Sequence, residues 1–358
     1  MKLRFWTLVL IGLLALGVLP AVAQDSDDVF ASYNCLGLSE ADCAIVQAAT
    51  QNAHDIVSFT QAFTFSASIS NASAIAQGFD GAVNAEGSGA FVIDRAKGTD
   101  ESPYGAISLS MDISGSTTDA DDEGEQAGEA SFVIADGNLY VQDAATGDWR
   151  GAALADLAKN AQVYSFLGMG MDIPLNKLMG MGMMGDNDGV TLPDGLNLNP
   201  LDLLETPGFL VQERLADEIL EGQDMAVFVY TADIGVLLAD ADFQDTISGL
   251  AAAMGEADDA TSQQMAMMLP ILLRNTAGTV TLTRWIGADD GLPHRLALAV
   301  DTAVDLGIRS GNGTPVPPIA VKLDFAVALT AINATPAPTA PAGATLVAAD
   351  ELLPDAAQ

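Results

Sequence analysis

The sequence predicts an α+β protein built on one large, twisted antiparallel sheet. Apolar and polar residues alternate with a period of two in about eight segments, the pattern of half-buried strands. Segments with helical spacing lie between two strand-rich halves. Hydrophobic residues make up 49% of the 358 residues, enough for a substantial core. Since a sheet with one apolar side must bury that side, we expect helices, or helices together with a ligand, to cover it.

The N-terminus has the pattern of a secretory signal peptide. Lys2 and Arg4 precede an apolar run, and "AVA" at positions 21–23 fits the small-residue cleavage motif. We therefore expect residues 1–23 to be removed and the mature chain to be exported, either secreted or held in the extracytoplasmic cell envelope. The run is too short to span a bilayer comfortably, and we expect no transmembrane segment in the mature chain.

Residues 24–58 are predicted to form a disulfide loop followed by a helix. Cys35 and Cys43 are the only cysteines, and in an oxidising compartment they pair most simply as a disulfide. A redox pair or metal site is the alternative, although the spacing fits neither CxxC nor the common zinc patterns. Ser39 can cap a helix that runs from about residue 40 to 54, with Asp42 at the capping-box position.

Residues 59–332 are predicted to form one domain, and its first half is rich in strands. "SFTQAFTFSASIS" places Phe63 and Phe65 on one face, and "YGAISLSMDISGS" does the same for Ile107, Leu109 and Met111. "GFDGAVNAEGSGAFVID" is a further strand whose glycines predict a bend or bulge. The acidic run "TDADDEGEQAGE" is expected to be a solvated loop. "ADGN" then joins two strands as a hairpin.

The second half of this domain resumes with "MAVFVYTAD" after a helical segment. Three more strands follow, "GTVTLTRWIG", "HRLALAVDTAV" and "IAVKLDFAVALTAI", and the last places Leu323 and Phe325 on one face. Arg284 and Trp285 are candidates for stacking, which at a strand end is usually structural. Residues 333–358 are rich in proline and alanine and are predicted to be a disordered tail.

Several short motifs occur in an order that resembles a known family. They are "DGNLYVQDAATGDW" with Trp149, "NPLDLL" at residues 199–204, and "WIGADDGLPHRL" at residues 285–296. In this order they resemble the bacterial lipoprotein-carrier superfamily, which includes LolA-like and LppX/LprG-like lipid-binding proteins. The resemblance covers residues 55–332. It implies a half-open barrel whose concave apolar face is covered by helices, with a cavity for acyl chains and no catalytic residues.

A methionine-rich insertion at residues 165–185 departs from that family pattern, as does the lack of a lipobox cysteine. It holds Met169 and Met171 among six of the chain's 13 methionines. Methionine fills apolar gaps and adapts to varied apolar partners, so the stretch fits a plain packed or mobile loop, or a lid over a lipid-like ligand. Thioethers also bind Cu(I), which leaves copper handling as a third alternative.

Charge and motif content exclude other classes of function. The formal net charge of −35 repels nucleic acid, so no nucleic-acid partner is expected. The two histidines are far apart in sequence, and the common hydrolase, zinc-protease and nucleotide-binding motifs do not occur. "DNDGV" at residues 186–190 fails as a calcium loop. We therefore expect neither enzymatic activity nor a cofactor or metal.

The sequence thus predicts an exported, non-enzymatic protein that holds a lipid, a lipidated molecule or another apolar ligand between sheet and helices. The alternative is a structural or adhesive envelope protein filled by its own side chains. Same-parity strand positions and the methionine stretch supply the expected cavity lining: Phe63, Phe65, Ile107, Leu109, Met111, Met169, Met171, Leu323 and Phe325.

Overall fold

The computed structural model describes a defined part of the chain: residues 35–71, 80–94, 96, 106–119, 126–157, 206–241, 243, 244, 248, 274–307 and 313–352. The signal peptide, the methionine-rich insertion and the "NPLDLL" motif lie outside these residues. Predictions about them therefore remain predictions.

Most of the described residues belong to strands. The strands are β1 (Ser58–Ser70), β2 (Gly81–Asp94), β3 (Ala106–Asp119), β4 (Gln126–Ala135), β5 (Asn138–Gln142), β6 (Trp149–Ala153), β7 (Leu210–Arg214), β8 (Glu218–Leu220), β9 (Gln223–Asp233), β10 (Thr276–Gly287), β11 (Pro293–Val304), β12 (Ile319–Thr330) and β13 (Thr345–Leu346). The described helices are α1 (Glu40–Ala53), α2 (Leu154–Leu157), α3 (Ile234–Ala239) and α4 (Ala349–Leu352).

All thirteen strands belong to one open sheet, which confirms the prediction of a large antiparallel sheet. Its order is β13-β6-β5-β4-β3-β2-β1-β12-β11-β10-β9-β7, with β8 also paired to β9. Within it, only β13 and β6 pair in parallel. The pairing of β1 with β12, which joins residue 60 to residue 330, forms a seam between a first half, β1–β6, and a second half, β7–β12.

The glycines of β2 allow close packing with the neighbouring strands. The registers of β2 with β1 and with β3 run without a shift along its whole length, so these pairings contain no bulge. At Gly87 a Cβ atom would lie 2.5 Å from the ring of Phe63 and 2.6 Å from the carbonyl oxygen of Asp112. Glycine is therefore required there because an aromatic side chain of the neighbouring strand occupies its space.

The predicted hairpin is confirmed, but the strands beside the acidic loop are longer than expected. Asp136 and Gly137 both have positive φ, at 52° and 74°, as the turn of a two-residue hairpin requires. β3 continues to Asp119 and β4 begins at Gln126, both inside the stretch predicted to be a solvated loop. Cross-strand pairing from Ser114 to Thr117 explains this extension despite the polar sequence.

The N-terminal elements follow the prediction closely. Cys35 and Cys43 form a disulfide. Ser39 caps α1 by accepting a hydrogen bond from the backbone N–H of Asp42 at 3.2 Å, and its hydroxyl donates to the Asp42 carboxylate at 2.7 Å. None of the helices that the structure describes has the length and apolar content to cross a membrane.

The prediction of a disordered tail is wrong for its described part, up to residue 352. β13 adds to the exposed edge of β6, and the backbone N–H of Val347 donates to the carbonyl oxygen of Gly151 at 2.8 Å. Ala344 packs on one side of the sheet beside Tyr140, whereas Leu352 packs on the other. The edge of β6 and the apolar surfaces on both sides of the sheet hold this segment in place. The composition of the segment does not reveal these distant contacts.

Candidate functional site

The inner face of the sheet is the side that carries Phe63. Cross-strand partners project to the same side, so the registers extend this face through Val327, Leu296, Arg284 and Phe228, on β12, β11, β10 and β9. We call these five residues the deep row. Their exposed fractions are 2%, 1%, 7%, 6% and 0% in this order, so the face is closed at this level.

Four residues further along β1, the same face opens. We call this second set the open row; it consists of Ala67, Leu323, Val300, Val280 and Ala232. Every member is half-buried, although every member is apolar. The inner face therefore becomes steadily more accessible along the strand direction without becoming more polar. The open row therefore presents partly exposed apolar surface that an apolar molecule could cover.

The predicted lining residues that the structure describes all belong to one inner-face cluster. Four are buried, namely Phe63, Leu109, Met111 and Phe325. Three are half-buried, namely Phe65, Ile107 and Leu323. Strand parity thus places these seven side chains together. Whether they touch a ligand remains a prediction, and Met169 and Met171 lie outside the described residues.

Helix α1 covers the second-half end of the inner face. Its buried residues Val46 and Ala49 pack against Ala226, Phe228 and Ile286 of β9 and β10. Asp42 on the helix accepts a hydrogen bond from Arg214 on β7 at 2.9 Å. Asn52, in the last turn, donates to the backbone carbonyl oxygens of residues 290 and 291 at 3.4 and 3.3 Å. Helix α1 therefore packs on the second-half end of the inner face, whereas the predicted helical cover of the whole face stays a prediction.

Polar side chains are buried on this face without their usual partners. Gln61 is 1% exposed, and neither its amide nitrogen nor its amide oxygen has a hydrogen-bond partner. The hydroxyl of Tyr230 is likewise buried without one. Burial raises the pKa of Tyr230, and the positive charge of Arg284 partly opposes this rise. Buried polar groups of this kind mark positions where a missing partner would be stabilising.

Arg284 is the residue whose position the sequence reasoning missed. The sequence analysis predicts that Arg284 stacks with Trp285. Consecutive strand residues, however, project to opposite faces of the sheet. Trp285 instead lies on the outer face, where Arg295 stacks over its ring at 4.7 Å and Glu218 accepts a hydrogen bond from its indole at 2.8 Å. The signal was in the strand pattern, since Arg284 shares its parity with Leu282 and Ile286.

The described residues contain no group of three or more histidine, cysteine or acidic side chains arranged to hold a metal ion. His294 is the second residue of β11, and its Nε2 atom is 2.9 Å from the carboxylate of Asp290 in the preceding turn. This pair links the start of β11 to that turn. The copper alternative depends on the methionine-rich insertion and stays a prediction.

The sequence matches no protein-family model and none of the curated proteins. Among solved structures, the protein is similar to LprF from Mycobacterium bovis, with 12% identity, a TM-score of 0.30, and 84% of this chain and 95% of that chain covered. It is also similar to the Mycobacterium tuberculosis lipoprotein LppX, with 10% identity, a TM-score of 0.28 and coverages of 83% and 97%.

A third similar structure is lipovitellin, with 8% identity and a TM-score of 0.28; the match covers 79% of this chain and 26% of that one. Similarity at this level carries no weight for function, which has to be inferred from the side chains themselves.

Proposed function

We propose that the protein is an exported, non-enzymatic carrier that holds a lipid or another apolar ligand against the inner face of its sheet. The observation that supports this most directly is the gradient from the deep row to the open row. A purely structural sheet would be expected to bury its large apolar side chains evenly. Here Phe65, Leu298 and Leu323 are only partly covered, although they continue the buried cluster.

The energetics suit an apolar guest. Each methylene group transferred from water to such a surface contributes about 0.8 kcal/mol, offset by the cost of ordering the chain. A long acyl chain can therefore bind without any charged contact. The half-buried side chains supply the apolar surface that such a chain would cover, and covering them would remove them from water as well.

Export is supported by the disulfide between Cys35 and Cys43, since such bonds persist in oxidising compartments and are rare in reducing ones. The signal-peptide pattern of residues 1–23 points the same way. The proposal includes no enzymatic activity, since most residues of the inner face are apolar and His54 and His294 lie at or next to the ends of elements.

Binding can be tested by native mass spectrometry of the mildly extracted protein and by titration with a fluorescent C16 fatty acid. Ala67→Trp would fill the open row, whereas Ala62→Trp places the same side chain on the exposed outer face of the same strand. We expect bound mass that organic solvent removes, and uptake that Ala67→Trp weakens by about tenfold or more. Ala62→Trp should bind like the wild type.

A structural envelope protein with a self-filled core is the second candidate. It is favoured by the deep row, which is already closed, and by Leu352 of the C-terminal segment, which packs against the same cluster. A clean apo mass together with no uptake of the fatty acid by the wild type would support this candidate and overturn the carrier function.

A further inference from the structure

Arg284 is a charged residue in an apolar position. Its cross-strand partners are Leu296 and Phe228, and Leu282 and Ile286 flank it on the same face of β10. Only 6% of Arg284 is exposed. A guanidinium group stays protonated in proteins, so it cannot relieve its burial by losing charge. Burial of such a group is strongly unfavourable unless an anion or several acceptors compensate it.

A second arginine on the same face shows how such a charge is normally satisfied. Arg214 lies opposite Phe228 on β7 and stacks over its ring at 5.1 Å. It also forms ion pairs with Asp42 and Asp217. Arg284, by contrast, takes part in none of the ion pairs found among the described residues. Arg214 is therefore neutralised by carboxylates of the protein, whereas Arg284 has no such partner within the described ranges.

Tyr230 provides an independent second group at the same place. It is the diagonal neighbour of Arg284 across the β9–β10 register and lies on the same face. Its hydroxyl is buried without a hydrogen-bond partner, and Arg284 lies near enough to act on it electrostatically without a hydrogen bond of regular geometry. The guanidinium and the hydroxyl can both donate hydrogen bonds, so together they form a candidate binding pair for an anion.

We propose that Arg284 and the hydroxyl of Tyr230 bind the anionic group, a carboxylate or phosphate, of an amphiphile. The apolar chain of this ligand runs along the inner face toward the open row, and Arg284 lies four residues, or roughly 13 Å of strand, from Val280 in that row. This inference rests on the proposed carrier function and narrows its ligand class. The anion provides the charge partner that the described protein residues do not.

The negative net charge of the protein disfavours general binding of anions, so any anion binding should occur at the buried arginine. A net charge of −35 repels anions at long range, and salt screens that repulsion. Binding of an anionic amphiphile at a buried arginine should therefore hold or tighten as ionic strength rises. Attachment to surface lysines or arginines would weaken under the same conditions.

The test compares guests that share a C16 acyl chain but differ in their head group. Palmitic acid and palmitoyl lysophosphatidic acid are anionic, whereas methyl palmitate and monopalmitoylglycerol are neutral. Each competes with a fluorescent C16 fatty acid for the wild-type protein. We expect each anionic guest to bind at least about thirtyfold more tightly than its neutral counterpart. The pair with the larger ratio of affinities identifies the natural head group as a carboxylate or a phosphate.

Variants assign the preference to the buried site. Arg284→Met keeps an apolar stem and removes the charge, so it should bind acid and ester equally while still taking up the ester. Arg284→Lys should keep part of the preference. Arg295→Met is the matched control, because Arg295 lies on the adjacent strand, stacks on the outer-face Trp285, and should leave the preference unchanged.

Two results would overturn the proposal and leave the carrier function intact: equal binding of acid and ester by the wild type, or a preference that survives Arg284→Met. The first comparison needs no variant, so it remains decisive if a substituted protein fails to fold. If the wild type takes up none of the four guests, the carrier function fails, and the head-group site fails with it.

Discussion

The two halves of the sheet bury the same inner face in different ways. In the first half, apolar side chains of neighbouring strands, together with Leu157 of α2 and Leu352 of α4, fill the space, and Phe63 packs over Gly87. In the second half, helix α1 packs on a face that also carries Arg214, Arg284 and Tyr230. The inner face is thus mainly apolar in the first half of the sheet and contains more polar groups in the second half. Under the proposed carrier function, the second half would bind the head group of the ligand and the first half would contact its apolar chain.

The largest expected effect comes from truncating one deep-row aromatic in each half. Phe63→Ala and Phe228→Ala should each lower the free energy of unfolding by about 3–5 kcal/mol, because both rings are almost completely buried. Guanidinium unfolding of the two variants measures this directly. A loss below about 1 kcal/mol for Phe63→Ala alone would mean that the first half is loosely filled, and the contrast drawn between the two halves would reverse.

Removal of the disulfide should act on one half only. The double variant Cys35→Ser, Cys43→Ser should lose roughly 2–3 kcal/mol of stability, since the bond constrains a short loop in the unfolded chain. Because this loop leads into α1, hydrogen exchange should accelerate in α1, β9 and β10 more than in β2, β3 and β4. Uniform acceleration through the sheet would show that α1 does not cover the second half as an independent unit.

Gln61 is an exception to the mainly apolar character of the first half, and replacing it should be favourable. Gln61→Leu is expected to raise the stability of the ligand-free protein by about 1–2 kcal/mol, because two unpartnered buried amide atoms disappear. Gln142→Leu is the control: its amide donates to the carbonyl oxygen of Gly147 at 3.0 Å, so no gain is expected. Thermal unfolding of both variants decides the matter, and a loss for Gln61→Leu would indicate a bonded amide.

The smallest expected effect is a pH dependence that belongs to the second half. Burial raises the pKa of Tyr230, so the unfolded chain loses this proton at a lower pH than the folded chain. Its contribution to stability is complete below the ordinary tyrosine pKa of about 10 and is lost as pH rises through the higher folded value. Urea unfolding at rising alkaline pH should show a shallower decline for Tyr230→Phe; identical slopes would contradict this.

Local patterns predicted much of this molecule, whereas contacts between distant segments did not follow from them. Alternation placed β1, β3 and β12 and put Phe65 and Leu323 on the same face, because side-chain direction is a property of each strand alone. The seam between β1 and β12 and the edge contact of β13 depend on partners hundreds of residues away. Arg284 was missed because a charged residue in an alternating pattern was assigned to the neighbouring tryptophan rather than to the inner face.

The seam has a consequence for the order of assembly. The first long strand of the sheet finds its partner in the last one, so the hairpins on either side can form early, but the central pairing must wait until the chain has been made as far as residue 330. Contacts of such high sequence separation slow folding. The two halves of the sheet therefore stay unjoined until late in synthesis, which would favour passage through a translocation channel if the protein is exported as proposed.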